Sequence, residues 1–161
     1  MKIIGIDCGT ERTGYGIIES DGKRHAAIAF GVLKTNPKEP MADRLCLIAR
    51  GLREVIAEYR PDEAVVEEVF VAKNTQSSLK LAQVRGVAMV MAREAPMEVH
   101  EYSPREIKMA VVGYGNAEKS QVQLMVRALL GLEKMPPEDA ADALAAAICR
   151  ATMRMATIKR S

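Results

Sequence analysis

Lys2-Ile3-Ile4-Gly5-Ile6-Asp7-Cys8-Gly9-Thr10 opens the chain. A short apolar run ending in an acid and then a glycine predicts a buried strand over 2–8 followed by a tight polar turn. The strand delivers the Asp7 carboxylate to a sheet end, where it costs free energy unless something compensates it. No His, Lys or Arg stands beside Asp7 in sequence, and two other places repeat the pattern. Glu67 ends Ala64-Val65-Val66-Glu67, and Asp139 and Asp142 sit in the helical stretch Glu138-Asp139-Ala140-Ala141-Asp142-Ala143-Leu144-Ala145. Four such acids in three separated places point to a cation from outside the chain. Hard divalent ions with oxygen ligands, Mg²⁺ above all, suit that donor set. Clusters of this kind serve metal-assisted attack on phosphodiesters.

Outward from the first strand, 14–20 reads as a second strand, Ser20-Asp21-Gly22-Lys23 as a hairpin turn and 25–34 as a third strand. Asn36-Pro37-Lys38-Glu39-Pro40 breaks the pattern. Leu45, Ile48, Leu52, Val55, Ile56 and Tyr59 then recur at helical spacing up to Pro61. A strand is expected at 63–69, a long helix at about 76–93 and a strand at 97–101. Ser103-Pro104-Arg105-Glu106 is a helix start with its own capping box. That helix stops near Gly113, a further one capped by Asn116 covers 117–131, and Pro136-Pro137 opens the last, about 137–157. Three antiparallel strands followed by alternating helices and strands predict an α/β fold, a mixed five-stranded sheet flanked by helices.

At 161 residues the chain reads as a single domain over 1–161, long enough to bury roughly 70% of its unfolded surface. No apolar run approaches the roughly 18 residues of a membrane span, and Asp7 interrupts the N-terminal run that a signal peptide would need. Cys8, Cys46 and Cys149 are odd in number and far apart, which fits a cytoplasmic protein rather than a disulfide framework. With His25 and His100 as the chain's histidines and no Cys-x-x-Cys, zinc is disfavoured. Net charge is +2, but its distribution is uneven. Arg150, Arg154, Lys159 and Arg160 form a basic C-terminal tail from about 150, leaving 19 of the 23 Lys and Arg against 21 acids elsewhere.

Gly5-Ile6-Asp7-Cys8-Gly9-Thr10 resembles both the first phosphate-binding turn of actin-like ATPases and the first strand of ribonuclease-H-like nucleases. Length favours the second, because actin-like proteins need two such domains. Glu67 and Glu68 are adjacent and point to opposite faces, so one of them joins Asp7; alternation does not choose between them. Asp139 and Asp142 at i, i+3 share a helix face, roughly 5–6 Å apart at Cβ, and the surrounding alanines let that helix approach a sheet closely. Gly113-Tyr114-Gly115-Asn116-Ala117-Glu118-Lys119-Ser120 lacks the glycine that a nucleotide P-loop places before its lysine. It still offers a helix start and Lys119 to a phosphate, with Lys108 as a second cation. Phe70, near Lys73 and Asn74, suits stacking on an unpaired base, though a core role is equally open. Cys8 alternates with Asp7 and is expected to face away from it as buried filler. Gly86 to Ala92 is apolar on every side, so a second chain is needed to cover the face that this domain does not.

Taken together these segments resemble the RuvC family of bacterial crossover-junction endodeoxyribonucleases over nearly the whole chain. The resemblance rests on Gly5-Ile6-Asp7 through Thr13-Gly14-Tyr15-Gly16, Glu67-Glu68-Val69-Phe70 with Ala72-Lys73-Asn74, Leu79-Lys80-Leu81 with Arg85-Gly86, Val111-Val112-Gly113 through Val122, and Ala140-Ala141-Asp142-Ala143-Leu144-Ala145. It implies a ribonuclease-H-like fold, a two-fold homodimer and Mg²⁺-dependent paired nicking of four-way (Holliday) DNA junctions in recombination and repair. It implies Asp7, Glu67, Asp139 and Asp142 as catalytic metal ligands, and so selects Glu67 over Glu68. Two Mg²⁺ ions per site, with Mn²⁺ as a substitute, follow two-metal logic. Phe70, Lys73, Asn74, Lys80, Arg85, Lys108 and Lys119 are the implied DNA contacts, and RuvA and RuvB the implied branch-migration partners. Cys8, where relatives commonly carry Pro, and Glu68, often Gln, depart from the pattern. A related nuclease acting on RNA and a non-catalytic junction binder are the competing readings; the complete acid set argues against the latter.

Overall fold

The computed structural model describes residues 1–69 and 74–158. Its elements are β1 (Lys2–Asp7), β2 (Arg12–Ser20), β3 (His25–Lys34), α1 (Met41–Tyr59), β4 (Glu63–Glu67), α2 (Thr75–Glu94), β5 (Glu98–Tyr102), α3 (Pro104–Val112), α4 (Lys119–Leu130) and α5 (Glu138–Ile158). The sheet order is β3-β2-β1-β4-β5. The first three strands run antiparallel. The joins β1–β4 and β4–β5 are parallel. The mixed five-stranded sheet expected from the sequence is therefore the one observed.

Strand alternation sorts the apolar residues into two cores. Ile3, Ile18 and Val65 face α3, α4 and α5. Ile4, Ile6, Ile17, Ala64 and Val66 face α1 and α2. Each face is closed by helices, so the central strands read as continuous apolar runs. α5 lies unusually close to the sheet. A Cβ on Gly5 would run into the Ala143 carbonyl, one on Gly14 would run into the Asp139 carbonyl, and one on Gly16 would sit 2.6 Å from Leu144 Cγ. Gly5 and Gly16 are cross-strand partners, and Gly14 is opposite Asp7. These glycines make a groove without side chains, and the alanines of α5 fill it.

The far end of α5 is fixed by charge. Glu63, at the start of β4, accepts from Arg150 Nε at 2.7 Å and from Arg154 Nη1 at 2.8 Å. Burial alone would raise the Glu63 carboxyl, but the Arg150 hydrogen bond and charge outweigh it and hold the group below its ordinary value. Arg150 and Arg154 thus belong to a helix and an internal ion-pair network rather than to a free basic tail. Lys159 and Arg160 lie outside the described residues.

Element ends differ from expectation where local hydrogen bonds decide. β2 begins at Arg12, because its pairing with β3 reaches Lys34. β4 stops at Glu67 rather than 69. α4 begins at Lys119, with Glu118 rather than Asn116 at the cap. Ala117 is instead buried in the core, and Gln121 Oε1 accepts the Glu118 N–H at 2.8 Å. The Ser103–Glu106 capping box of α3 forms as read. Among the described residues, no helix is long and apolar enough to cross a membrane.

Gly5→Ala is expected to force α5 off the sheet and lower unfolding free energy by about 3 kcal/mol, at the upper end for overpacking. Urea denaturation of the metal-free protein measures it. Stability equal to wild type would show that the groove is not filled by backbone.

Candidate active site

The first turn of α5 sits over the end of β1 because Gly14, opposite Asp7, packs directly on the Asp139 carbonyl. Ile3, Gly5 and Asp7 share the α5 side of β1, and Val65 faces the same core. Two residues beyond Val65, Glu67 therefore emerges on the side of Asp7. Asp7, Glu67 and Asp142 converge on a cavity of about 380 Å³, lined also by Cys8, Glu68, Lys108 and Lys119. Asp139 does not line the cavity; Arg12 Nε donates to its Oδ2 at 2.6 Å.

The turn after Asp7 is held from below. Buried Arg44 donates to the Thr10 carbonyl at 2.6 Å and to Thr35 Oγ1 at 3.1 Å. Thr13 Oγ1 donates to the Gly9 carbonyl at 2.8 Å. A fixed turn limits how far Asp7 retreats from its neighbours.

Confined in this way, the carboxylates repel. Burial, then Asp142, Glu67 and Asp139, push Asp7 up to about 7, with Lys119 acting the other way. Burial and Asp142 raise Glu67. Burial raises Asp142 against the opposing effect of Lys119. Lys119 Nζ lies 2.9 Å from Glu138 Oε1 and 3.2 Å from Asp142 Oδ2. Its ammonium supplies part of the positive charge the acids lack, while burial and the neighbouring acids still hold Asp7 up. An all-oxygen carboxylate set short of positive charge fits a hard divalent cation.

The other sequence-derived candidates fall in different places. Lys108 and Lys119 line the cavity. Asn74 caps α2, its side chain accepting from Ser77 N. Lys80 is exposed on α2. Arg85 has internal partners: it donates to the Glu67 carbonyl at 3.2 Å and pairs with Glu101, tying α2 to the ends of β4 and β5. Phe70 and Lys73 lie outside the described residues. Cys8 does not face away as alternation suggested. β1 ends at Asp7, so the strand's period stops there, and Cys8 lines the cavity. Burial and then the Asp7 charge push its thiol up to about 12, so it remains protonated. Sequence reasoning missed Arg12, Arg44 and Glu138, whose partners are distant in sequence and leave no local signal.

A second group with ligand-like spacing, Glu63, Glu98 and His100, lies at the opposite end of β4 and β5. Glu63 is already neutralised by Arg150 and Arg154, which makes this an ion-pair network in the fold.

A family model described as "Crossover junction endodeoxyribonuclease RuvC" matches residues 3–150. A protein of that name from Marinobacter nauticus is 50% identical over 157 residues, covering 98% of this chain and 89% of the relative. One from Coxiella burnetii is 55% identical over 150 residues, covering 93% and 87%. Thermus thermophilus RuvC in complex with Holliday junction substrate superposes with a TM-score of 0.91 at 37% identity, covering 98% of this chain and 97% of that one. The yeast mitochondrial Holliday junction resolvase Ydc2, at 14% identity and a TM-score of 0.66, shares the fold.

The raised Asp7 has a measurable consequence. Its ordinary value is 3.8 and its folded value about 7, so the folded chain binds this proton more tightly than the unfolded one. Stability from this group is greatest below the ordinary value and declines as pH rises through about 7. The full penalty, on the order of 2–4 kcal/mol, is then present at about pH 8. In EDTA, Asp7→Asn should melt above wild type at about pH 8, with the gap closing toward pH 5. Calorimetry showing the variant lower at the alkaline end would contradict the crowding of these acids.

Proposed function

The chain belongs to the RuvC family of crossover junction endodeoxyribonucleases, and on that premise we propose that Asp7, Glu67, Asp139 and Asp142 are its catalytic metal ligands and Mg²⁺ its metal. It is a structure-specific endonuclease that resolves four-way DNA junctions by paired nicks in recombination and repair. The observation that carries the site reading is the convergence of carboxylates from β1, β4 and α5 on one cavity, with Asp7 raised to about 7 by burial and by the neighbouring acids.

When bound, divalent ions in such a set activate water for in-line attack on a phosphodiester and stabilise the leaving oxygen. Two ions per site are proposed, which Asp7, Glu67, Asp139 and Asp142 would hold; Mn²⁺ would substitute. Asp7, Glu67 and Asp142 hold fixed negative charge at the cavity wall. Asp139 joins them when Arg12 releases it. Lys108 and Lys119, which also line the cavity, neutralise the scissile phosphate. Asn74, Lys80 and Arg85, together with Phe70 and Lys73, are the further proposed DNA contacts. For Arg85 this role requires its Glu101 pair to open.

Pairing of the nicks calls for two active sites on one junction. α2 buries Val84, Ala88, Met91 and Ala92 against its own domain. Its other side presents Leu79 and Val90, 62% and 53% exposed, with Gly86 open between them. These positions recur at helical spacing and form a stripe for a second copy. An isologous homodimer through this stripe sets the two cavities in two-fold relation. A single domain over the whole chain, a cytoplasmic location and delivery of junctions by RuvA and RuvB complete the proposal by family likeness.

Replacing any of the four acids by its amide keeps shape but removes anionic ligand strength. Nicking of a synthetic four-way junction in Mg²⁺ should fall by orders of magnitude, while binding in EDTA persists or tightens. Asp142→Asn should lose more than Asp139→Asn, because Asp142 lines the cavity and Asp139 does not. Wild-type nicking by Asp142→Asn at matched folded fraction would remove this constellation. Phe70→Ala should weaken junction binding by roughly 1–3 kcal/mol if the ring stacks on a base, and Phe70→Tyr by less. An equal loss of thermal stability would place the ring in the core instead.

A further inference from the structure

Lys119 occupies an unusual position for a cation. It is the first residue of α4, where the helix dipole disfavours positive charge. Two carboxylates from α5 offset this: Glu138 at 2.9 Å and Asp142 at 3.2 Å. Glu138 and Asp142 are four residues apart and share one helix face. They differ in setting, because the Glu138 side chain is 61% exposed and Asp142 only 20%. Asp142 lines the cavity with Asp7 and Glu67; Glu138 does not. The ammonium therefore bridges a carboxylate inside the site and one outside it.

Resting on the active-site reading above, we propose that Glu138 is a positioning residue for Lys119, holding its ammonium at the cavity rim so that a divalent cation displaces it from Asp142 without releasing it from the site. In the metal-free protein Lys119 partly fills the charge deficit of the acids and so competes with metal. Glu138 limits that competition by offering the ammonium a second anchor. With metal present, the same anchor keeps Lys119 at the mouth of the cavity, facing an incoming phosphate. Without Glu138 the ammonium is left with the cavity acids and competes fully for Asp142. Among the described residues, Arg12 pairs with Asp139 and with no second carboxylate.

A double-mutant cycle in metal affinity tests this without DNA or turnover. Mn²⁺ binding is titrated by electron paramagnetic resonance for wild type, Glu138→Gln, Lys119→Met and the double variant, each checked for folding by melting in EDTA. Lys119→Met should tighten Mn²⁺ about three- to tenfold, and Glu138→Gln should weaken it by about threefold. The double variant should match Lys119→Met, because Glu138 acts through the ammonium. Equal weakening by Glu138→Gln in both backgrounds would reduce Glu138 to a through-space charge and overturn the proposal, as would no effect in either. Asp7→Asn and Asp142→Asn separate the two levels. If they leave Mn²⁺ binding unchanged, the active-site reading itself fails. If they abolish it while Glu138→Gln is neutral, only the role of Glu138 fails.

Discussion

Contact between α5 and a sheet surface stripped of side chains is the constraint on which the rest of this molecule depends. Gly5, Gly14 and Gly16 leave no Cβ between the strands and the helix, and Ala143, Leu144 and the Asp139 carbonyl occupy the space. Backbone in van der Waals contact with backbone has little room to slide, since interiors pack near crystal density. The helix is thereby set in height and rotation over β1 and β2, and Glu63 fixes its other end through Arg150 and Arg154. Asp139 and Asp142, in its first two turns, then stand where β1 ends. The geometry of the proposed site follows from how closely a helix is allowed to lie.

This closeness has an electrostatic consequence. Asp7, Glu67 and Asp142 are crowded and desolvated together, and each carboxyl is raised as a result. Folding energy from the glycine groove, the two apolar cores and the Glu63 network holds these charges against their repulsion. Local instability at a functional site, supported by consistency elsewhere, is a common arrangement. The chain offsets part of it internally with Lys119 and Arg12 and leaves the remainder for a divalent cation.

Much of this was legible in the sequence, for identifiable reasons. Strand and helix periods gave the element order; Asp7 and Glu67 stood out because each ended an apolar run, and Asp139 and Asp142 because they share one face of an alanine-rich helix. Ser103 and Glu106 announced their capping box. What escaped depends on pairs far apart in sequence. Alternation left Glu67 and Glu68 open and only the family resemblance chose Glu67; the physical reason is the β1–β4 register, which places Val65 beside Gly5 and so sends Glu67 to the side of Asp7. The alternation argument for Cys8 failed because the strand ended one residue earlier. Arg150 and Arg154 looked like a solvated basic end until Glu63 was brought beneath them. Glu138 looked like an ordinary acid at a helix start, and only the meeting of α4 with α5 gave it Lys119 as a partner.

The Arg12–Asp139 pair spans 127 positions of the chain, and the cavity takes its walls from the first strand and the last helix. During synthesis, β1 to β5 emerge and begin to pair well before α5 is available. A nascent chain at that stage has Asp7 and Glu67 but neither Asp139 nor Asp142, and its glycine groove is open to water. On the proposed acid set, the site is complete only once α5 has been synthesised, rather than growing gradually. Prematurely terminated products that lack α5 lose the core that covers one face of the sheet together with half of the acids. Quality control by proteolysis and the absence of stray nuclease activity would then follow from the same missing helix.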